Sequence, residues 1–319
     1  MSMKKCITIL IPTYNEQAVL PELFQRLNQL TQKTDKYQFE FLFVDDGSRD
    51  ATRQLLREQA ARDPRISYLA LSRNFGKEIS MTAGIDHVHS DALVIIDADL
   101  QDPPELIPQM IHYWEQGFDD VYARRQSRRG ETWLKKKTSQ WYSKLLQTTT
   151  SIPIQVDTGD FRLLDRRCIE ALQQFRESQR NTKALFSWIG YKKKEIYYHR
   201  DSRLAGSTKW NYRQLINLAI DGITSFTTAP LRIAAILGFI ISLVAFLWIV
   251  YLLVRPLFGV PTGAGYSSLM ATILFLGGVQ LLSLGVIGEY VGRIFLETKR
   301  RPLYLIEEHH TATTAKKQS

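Results

Sequence analysis

The 319 residues exceed one average domain, and although 45% of them are hydrophobic the apolar weight falls late in the chain, which excludes a single uniform globule. The net charge of +9 comes without any recognised nucleic-acid-binding motif, so the expected anionic partners are lipid headgroups and phosphates, and no nucleic acid is expected. Two cysteines, Cys6 and Cys168, are too few and too scattered for a disulfide framework or a metal site and fit a reducing compartment.

Residues 7–11 make the first predicted strand; the apolar run is too short, and lacks the small-residue cleavage site, to be a signal peptide. Val19, Leu20, Leu23, Leu27 and Leu30 then recur at helical spacing. A strand at 39–44 follows, and Leu55, Leu56 and Ala60 mark a second helix after Asp50, a natural N-cap. Further strands are predicted at 66–70 and 92–96. This alternation predicts an α/β domain with a mostly parallel central sheet covered by helices. Right-handed crossovers would place its loop chemistry at the carboxyl ends of the strands.

After Tyr122 the composition changes. Arg124, Arg125, Arg128, Arg129, Lys135, Lys136 and Lys137 crowd one stretch with only Glu131 opposing them, which predicts a charged loop running into a helix. Residues 157–200 read as strand, helix, helix and strand and complete a cytoplasmic domain over residues 1–205. The apolar segment 206–232, with Trp210 and Tyr212 at its start, predicts an interfacial helix.

Residues 233–254 and 266–288 contain no charge, and each is long enough to cross a hydrocarbon core about 30 Å thick. Two transmembrane helices are therefore expected. Arg213 and Arg232 precede the first and Arg293, Lys299, Arg300 and Arg301 follow the second, while only Arg255 lies between them. Both termini are accordingly expected in the cytoplasm, with a short external loop rich in Pro and Gly. Gly288 and Gly292 have a small-xxx-small spacing that permits close helix approach, as between subunits of a homo-oligomer. Residues 293–319 form the expected cytoplasmic tail, polar and frayed after Leu305, with His309 and His310 too near its end to read as a metal site.

The strongest local signal is Asp97-Ala98-Asp99, directly after an apolar strand. In extended chain, residues i and i+2 point the same way, so both carboxylates can face one ion. Hard oxygen donors suit Mg2+ or Mn2+ bridging the phosphates of a nucleotide. Taken alone, an Asp-x-Asp is more often a capped loop. The context is two more polar strand ends, one running from Ile11 to Glu16 and one from Val44 to Asp50, both delivered to the same sheet edge.

In chain order the motifs are IPTYNE at 11–16, VDDGSRD at 44–50, SRNFGKE at 72–78, DADLQDPP at 97–104 and TGDFRL at 158–163. With this set the chain resembles a family 2 glycosyltransferase of the GT-A fold, in the branch of dolichyl-phosphate mannose synthases and bacterial polyprenyl-phosphate glucosyltransferases. The resemblance reaches to about Arg301. It implies nucleotide binding by Pro12, Tyr14, Asn15, Glu16, Asp46, Lys77, Asp97 and Ala98, and metal binding by Asp97, Asp99 and Gln101. It also implies inversion at the anomeric carbon, with Asp157 or Asp160 beside the reacting sugar and acceptor, Asp157 being favoured. Arg124 is assigned to the leaving diphosphate or the acceptor phosphate, and Arg128 and Arg129 to the acceptor or the membrane. An acceptor that is already an anion reduces the need for a strong general base.

The implied reaction moves a hexose, best read as glucose from UDP-glucose, to a polyprenyl phosphate; GDP-mannose or a modified arabinose donor stays open. A processive polysaccharide synthase is disfavoured because its Gln-x-x-Arg-Trp element is missing and two spans are few for a polymer channel. A dinucleotide oxidoreductase is disfavoured because no Gly-x-Gly-x-x-Gly follows the first strand. The non-enzymatic alternative is a membrane scaffold with a degenerate sugar-nucleotide fold, against which the intact carboxylates argue.

Overall fold

The structure, a computed structural model, describes residues 4–32, 34, 36–125, 158–178, 180–198, 229–254 and 265–312. It divides into two compact units, Met1–Trp210 together with Pro302–Ser319, and Asn211–Arg301. In the first unit, β1 (Cys6–Thr13), β2 (Gln38–Asp45), β3 (Ile66–Leu71), β4 (Ala92–Ile95), β5 (Asp120–Arg125), β6 (Thr158–Asp165), β7 (Lys193–Tyr198) and β8 (Ile306–His310) form one sheet. Their spatial order is β7-β5-β6-β4-β1-β2-β3-β8. Only β6 and β8 run antiparallel to their neighbours, so the sheet is mostly parallel, as the sequence predicts.

The central strands are apolar on both faces because helices cover both. Ile7, Ile9 and Ile11 of β1 and Phe39, Phe41 and Phe43 of β2 point to one face. That face is covered by α1 (Leu20–Gln32), α2 (Thr52–Arg62) and α4 (Ile107–Glu115). Leu10, Leu42 and Val44 point to the other, under α3 (Lys77–Asp86), α5 (Arg166–Gln173) and α6 (Thr182–Trp188). Gly84 of α3 lies so close to β1 that a methyl group there would fall 2.2 Å from a Leu10 methyl, which sets how tightly this helix seats on the sheet.

Two expectations are corrected in this unit. The tail does not fray after Leu305: Ile306–His310 becomes the antiparallel edge strand β8 beside β3. Its polar composition hid the strand, because an edge strand pairs on one side only and its charges meet complementary partners. Arg53 Nη1 lies 2.7 Å from Glu307, Arg57 and the Tyr68 hydroxyl both reach Glu308, and His310 stacks on Tyr68 at 5.5 Å between ring centroids. The second correction concerns Asp97 and Asp99. β4 ends at Ile95, and Ala98 and Asp99 lie in a turn. Leu100 closes it with φ 58, a left-handed value costly for a residue with a side chain. The strand alternation invoked for this pair therefore does not operate.

The second unit holds α7 (Ala229–Val254) and α8 (Tyr266–Thr298), which pack against each other. Large apolar side chains stand exposed on both, among them Phe239 and Leu281. Among the described residues, α8 is long and apolar enough to cross a membrane, and it continues past residue 288 to Thr298. Among the described residues, α7 carries a shorter apolar stretch, Ala234–Trp248, within its full range. The interfacial segment 206–228, the loop 256–264, and Asp157, Arg128 and Arg129 lie outside the described residues.

Candidate active site

The polar strand ends converge at the carboxyl edge of the sheet around a cleft of about 240 Å³. From β1 come Pro12, Thr13, Tyr14 and Glu16; from the end of β2 comes Asp46; and Asp97, Ala98 and Asp99 follow β4. The fourth wall is the segment into α3, with Asn74, Gly76, Lys77 and Ser80. Tyr14 is exposed, so its ring is free to lie against a planar ligand.

The first two loops are sewn together by side chain to backbone bonds. Asn15, at φ 56, donates its N–H to Ser48 Oγ at 2.9 Å and accepts Arg49 N–H on Oδ1 at 2.8 Å. Glu16 N–H donates to Thr52 Oγ1 at 2.8 Å. Asp50 acts from one residue before the helix cap: its carboxylate accepts Thr52 N–H at 3.0 Å and Gln17 N–H at 3.2 Å. Asn15 thus shapes the loop and is not among the described residues lining the cleft.

Asp46 is buried and performs the same office for the next loop, accepting Phe75 N–H at 2.7 Å and Gly76 N–H at 2.9 Å. Burial raises its carboxyl, the two amides and Arg73 offset part of that, and the net direction is upward. Gly47, at φ 70, lets the chain pass beneath this loop: a methyl group would stand 2.5 Å from the Arg73 carbonyl carbon. Gly47→Ala is expected to lower unfolding stability by about 2 kcal/mol through backbone strain and loop displacement. Denaturant titration of the full-length protein measures it, and a loss below a few tenths would show that the loops yield freely.

A further carboxylate, Asp160, reaches Lys77 because β6 runs backwards. Its pairing with β4 sets Ile95 opposite Arg162, so the chain N-terminal to Arg162 passes the residues that follow β4. Lys77 joins the two ends: its Nζ lies 2.6 Å from Asp97 Oδ1 and 2.6 Å from Asp160 Oδ2. Burial alone would raise the Asp160 carboxyl, but Lys77, with Lys183 and Arg162 adding to the field, holds it below the usual range. Asp97 and Asp160 together keep Lys77 protonated, against the effect of its desolvation. Next along β6, Arg162 is fully buried, donates to Asp120 at 3.1 Å and lies over the Phe186 ring at 3.8 Å. Its part in the TGDFRL motif is architectural.

Two assigned residues sit elsewhere. Arg124 pairs with Glu195 at 3.1 Å near the end of β5, and Gln101 is buried with its N–H on Asp99 Oδ1 at 3.1 Å; neither is among the described residues lining the cleft. Thr13, Asn74, Gly76 and Ser80 line it without having been assigned. Their signal was Gly76 directly before a helix, a position where backbone approaches a ligand closely. Among the described residues no three His, Cys, Asp or Glu side chains form a metal-holding group.

The glycosyl transferase family 2 pattern matches residues 8–173, the stretch that carries this cleft from β1 to α5. The chain belongs to glycosyl transferase family 2. The family 2 unit has the GT-A arrangement, and a second pattern, the GtrB C-terminal hairpin, matches residues 229–294. The transferase is 45% identical over 303 residues to the glycosyltransferase YkcC of Bacillus subtilis, covering 95% of this chain and 94% of that one. It is 41% identical over 305 residues to the SfII prophage-derived bactoprenol glucosyl transferase of Shigella flexneri, covering 95% and 98%. Among solved structures, mannosyl-3-phosphoglycerate synthase from Rubrobacter xylanophilus superposes with a TM-score of 0.48 at 14% identity, covering 68% of this chain and 71% of that one.

Proposed function

We propose that this family 2 transferase moves glucose from UDP-glucose to a polyprenyl phosphate at the cytoplasmic face of a membrane, with inversion at the anomeric carbon. The observation that carries the reading is the end-to-end likeness to the Shigella bactoprenol glucosyl transferase, which includes both the cleft and the apolar hairpin. A phosphate oxygen of the acceptor bonds to the anomeric carbon as the bond to the donor diphosphate breaks, and that electron pair leaves with the nucleoside diphosphate.

Asp97 and Asp99 suit a divalent ion. They supply two hard oxygen donors, and among the described residues no third His, Cys, Asp or Glu joins them in a metal-holding group; on such a donor set Mg2+ or Mn2+ keeps waters and takes substrate phosphates as its other ligands. Such an ion would offset charge on the leaving diphosphate. Pro12, Tyr14, Glu16, Asp46 and Ala98 are read as the nucleotide side of the cleft. Lys77 supplies positive charge toward phosphate, and Asp160, ionised at neutral pH, holds that lysine beside the reacting sugar. Asp157 remains the candidate for the acceptor side, with Arg124, Arg128 and Arg129 for lipid phosphate or headgroups. We read α7 and α8 as two spans with both flanks cytoplasmic, on the asymmetry of Lys and Arg.

The test incubates full-length protein in detergent with undecaprenyl phosphate, Mn2+ and labelled UDP-glucose, GDP-mannose or a nucleotide-linked arabinose, and identifies the lipid product by mass. Glucosyl phospholipid from UDP-glucose is the expected result. Product only from another donor would replace the sugar, and donor hydrolysis without a lipid product would remove the acceptor.

A further inference from the structure

Lys77 occupies the place in the cleft where a cation has most to gain. Its ammonium bridges Asp97 and Asp160 at 2.6 Å to each. The backbone beneath it is pinned on both sides. Phe75 and Gly76 donate their N–H groups to Asp46, and the carboxylate of Glu78 accepts the Thr182 N–H at 2.8 Å together with the Thr182 hydroxyl. The lysine is therefore built into position, and the pinned segment is also one wall of the cleft. Asp97, one of its two partners, is also one of the two carboxylates read above as holding a divalent ion. A monovalent and a divalent cation cannot share one carboxylate oxygen without strong repulsion at contact distance.

We propose that Lys77 is an internal counter-cation that competes with the divalent ion for Asp97, so that the ion is held firmly only once a nucleoside diphosphate has entered. The diphosphate brings negative charge for both cations: its oxygens complete the shell of the ion and offer Lys77 a new partner. Asp160 keeps its hold throughout, so the lysine pivots about that carboxylate and stays in the cleft. Nucleotide and ion binding are then coupled, each strengthening the other by the same factor. This rests on the reading that Asp97 and Asp99 hold the ion.

Mn2+ binding to the full-length protein in detergent, followed by electron paramagnetic resonance with and without UDP, tests the proposal on wild type, Lys77→Met and Lys77→Arg. Without nucleotide, Lys77→Met is expected to bind Mn2+ about tenfold more tightly than wild type, since a competing positive charge is gone. The gain in Mn2+ affinity on adding UDP should shrink correspondingly, while Lys77→Arg stays near wild type. General damage to the site would weaken Mn2+ binding, which is the opposite direction. If wild type binds Mn2+ in the presence of UDP but Lys77→Met binds nucleotide-free Mn2+ no more tightly than wild type does, the counter-cation role is overturned. If wild type fails to bind Mn2+ even with UDP, the ion site itself is misassigned and the proposal falls with it.

Discussion

Replacing Asp99 by Asn is expected to cut turnover by about 10²–10³-fold while the protein stays folded, the loss typical of removing one preorganised electrostatic group from a transition state. Asparagine keeps the shape of the side chain and the oxygen that accepts the Gln101 N–H at 3.1 Å, so the turn after β4 survives. What disappears is a full negative charge at the mouth of the cleft, on the residue paired in sequence with Asp97. Rates at limiting and saturating Mn2+ separate the two contributions: weaker ion binding raises the Mn2+ requirement, and poorer offset of the leaving charge lowers the plateau. Unchanged thermal unfolding by circular dichroism completes the expected result. Near-wild-type turnover at limiting Mn2+ would take this carboxylate out of the ion site.

The largest stability effect is expected at Arg162. Its guanidinium and the Asp120 carboxylate are both fully buried, 3.1 Å apart, between β6 and β5. Arg162→Met strands a carboxylate in the core and is expected to cost about 3–5 kcal/mol, whereas removing both charges together is far less costly. Arg162→Met with Asp120→Leu should accordingly recover most of the loss. Urea unfolding of the full-length protein in detergent, followed by near-ultraviolet circular dichroism, measures both variants. A single-variant loss under 1 kcal/mol would mean that the carboxylate is relieved by the field of its neighbours, Lys193 of β7 among them.

The parts of the fold that show a period were legible. β1 to β4 are short apolar runs bounded by turn residues, and α1 repeats leucine along one face, because each of these buries a defined side. α3 could not be found this way. Ser80 to Ile85 are all buried, so the helix has no polar face to make a pattern, and its only local signature is the motif SRNFGKE. β8 failed for the reverse reason: five residues with two glutamates and two histidines carry too little apolar weight, and their partners lie more than 200 residues away on α2 and β3.

The candidate site divides along the same line. Asp46, Asp97 and Asp99 stood out because each follows an apolar strand, and all three line the cleft. The bond of Lys77 to Asp160 spans 83 positions and depends on β6 reversing direction, which no local spacing announces. Arg124 opens a basic run that points toward the site, yet its partner is Glu195 on the neighbouring strand, which stands opposite Tyr122 in the parallel register of β5 and β7 while Arg124 itself stands opposite Tyr197.

The return of the chain to form β8 has a consequence for biosynthesis. Because Ile306–His310 is made after α7 and α8, the sheet of the first unit is completed only when both apolar helices have left the ribosome. Until then β3 presents an open edge, the kind of surface that recruits strands from other chains. A fragment cut before residue 229 would keep the cleft-lining residues and lose the strand that closes that edge, together with the Arg53 and Arg57 ion pairs. The sheet that carries the cleft is in this sense finished only after the apolar hairpin has been made.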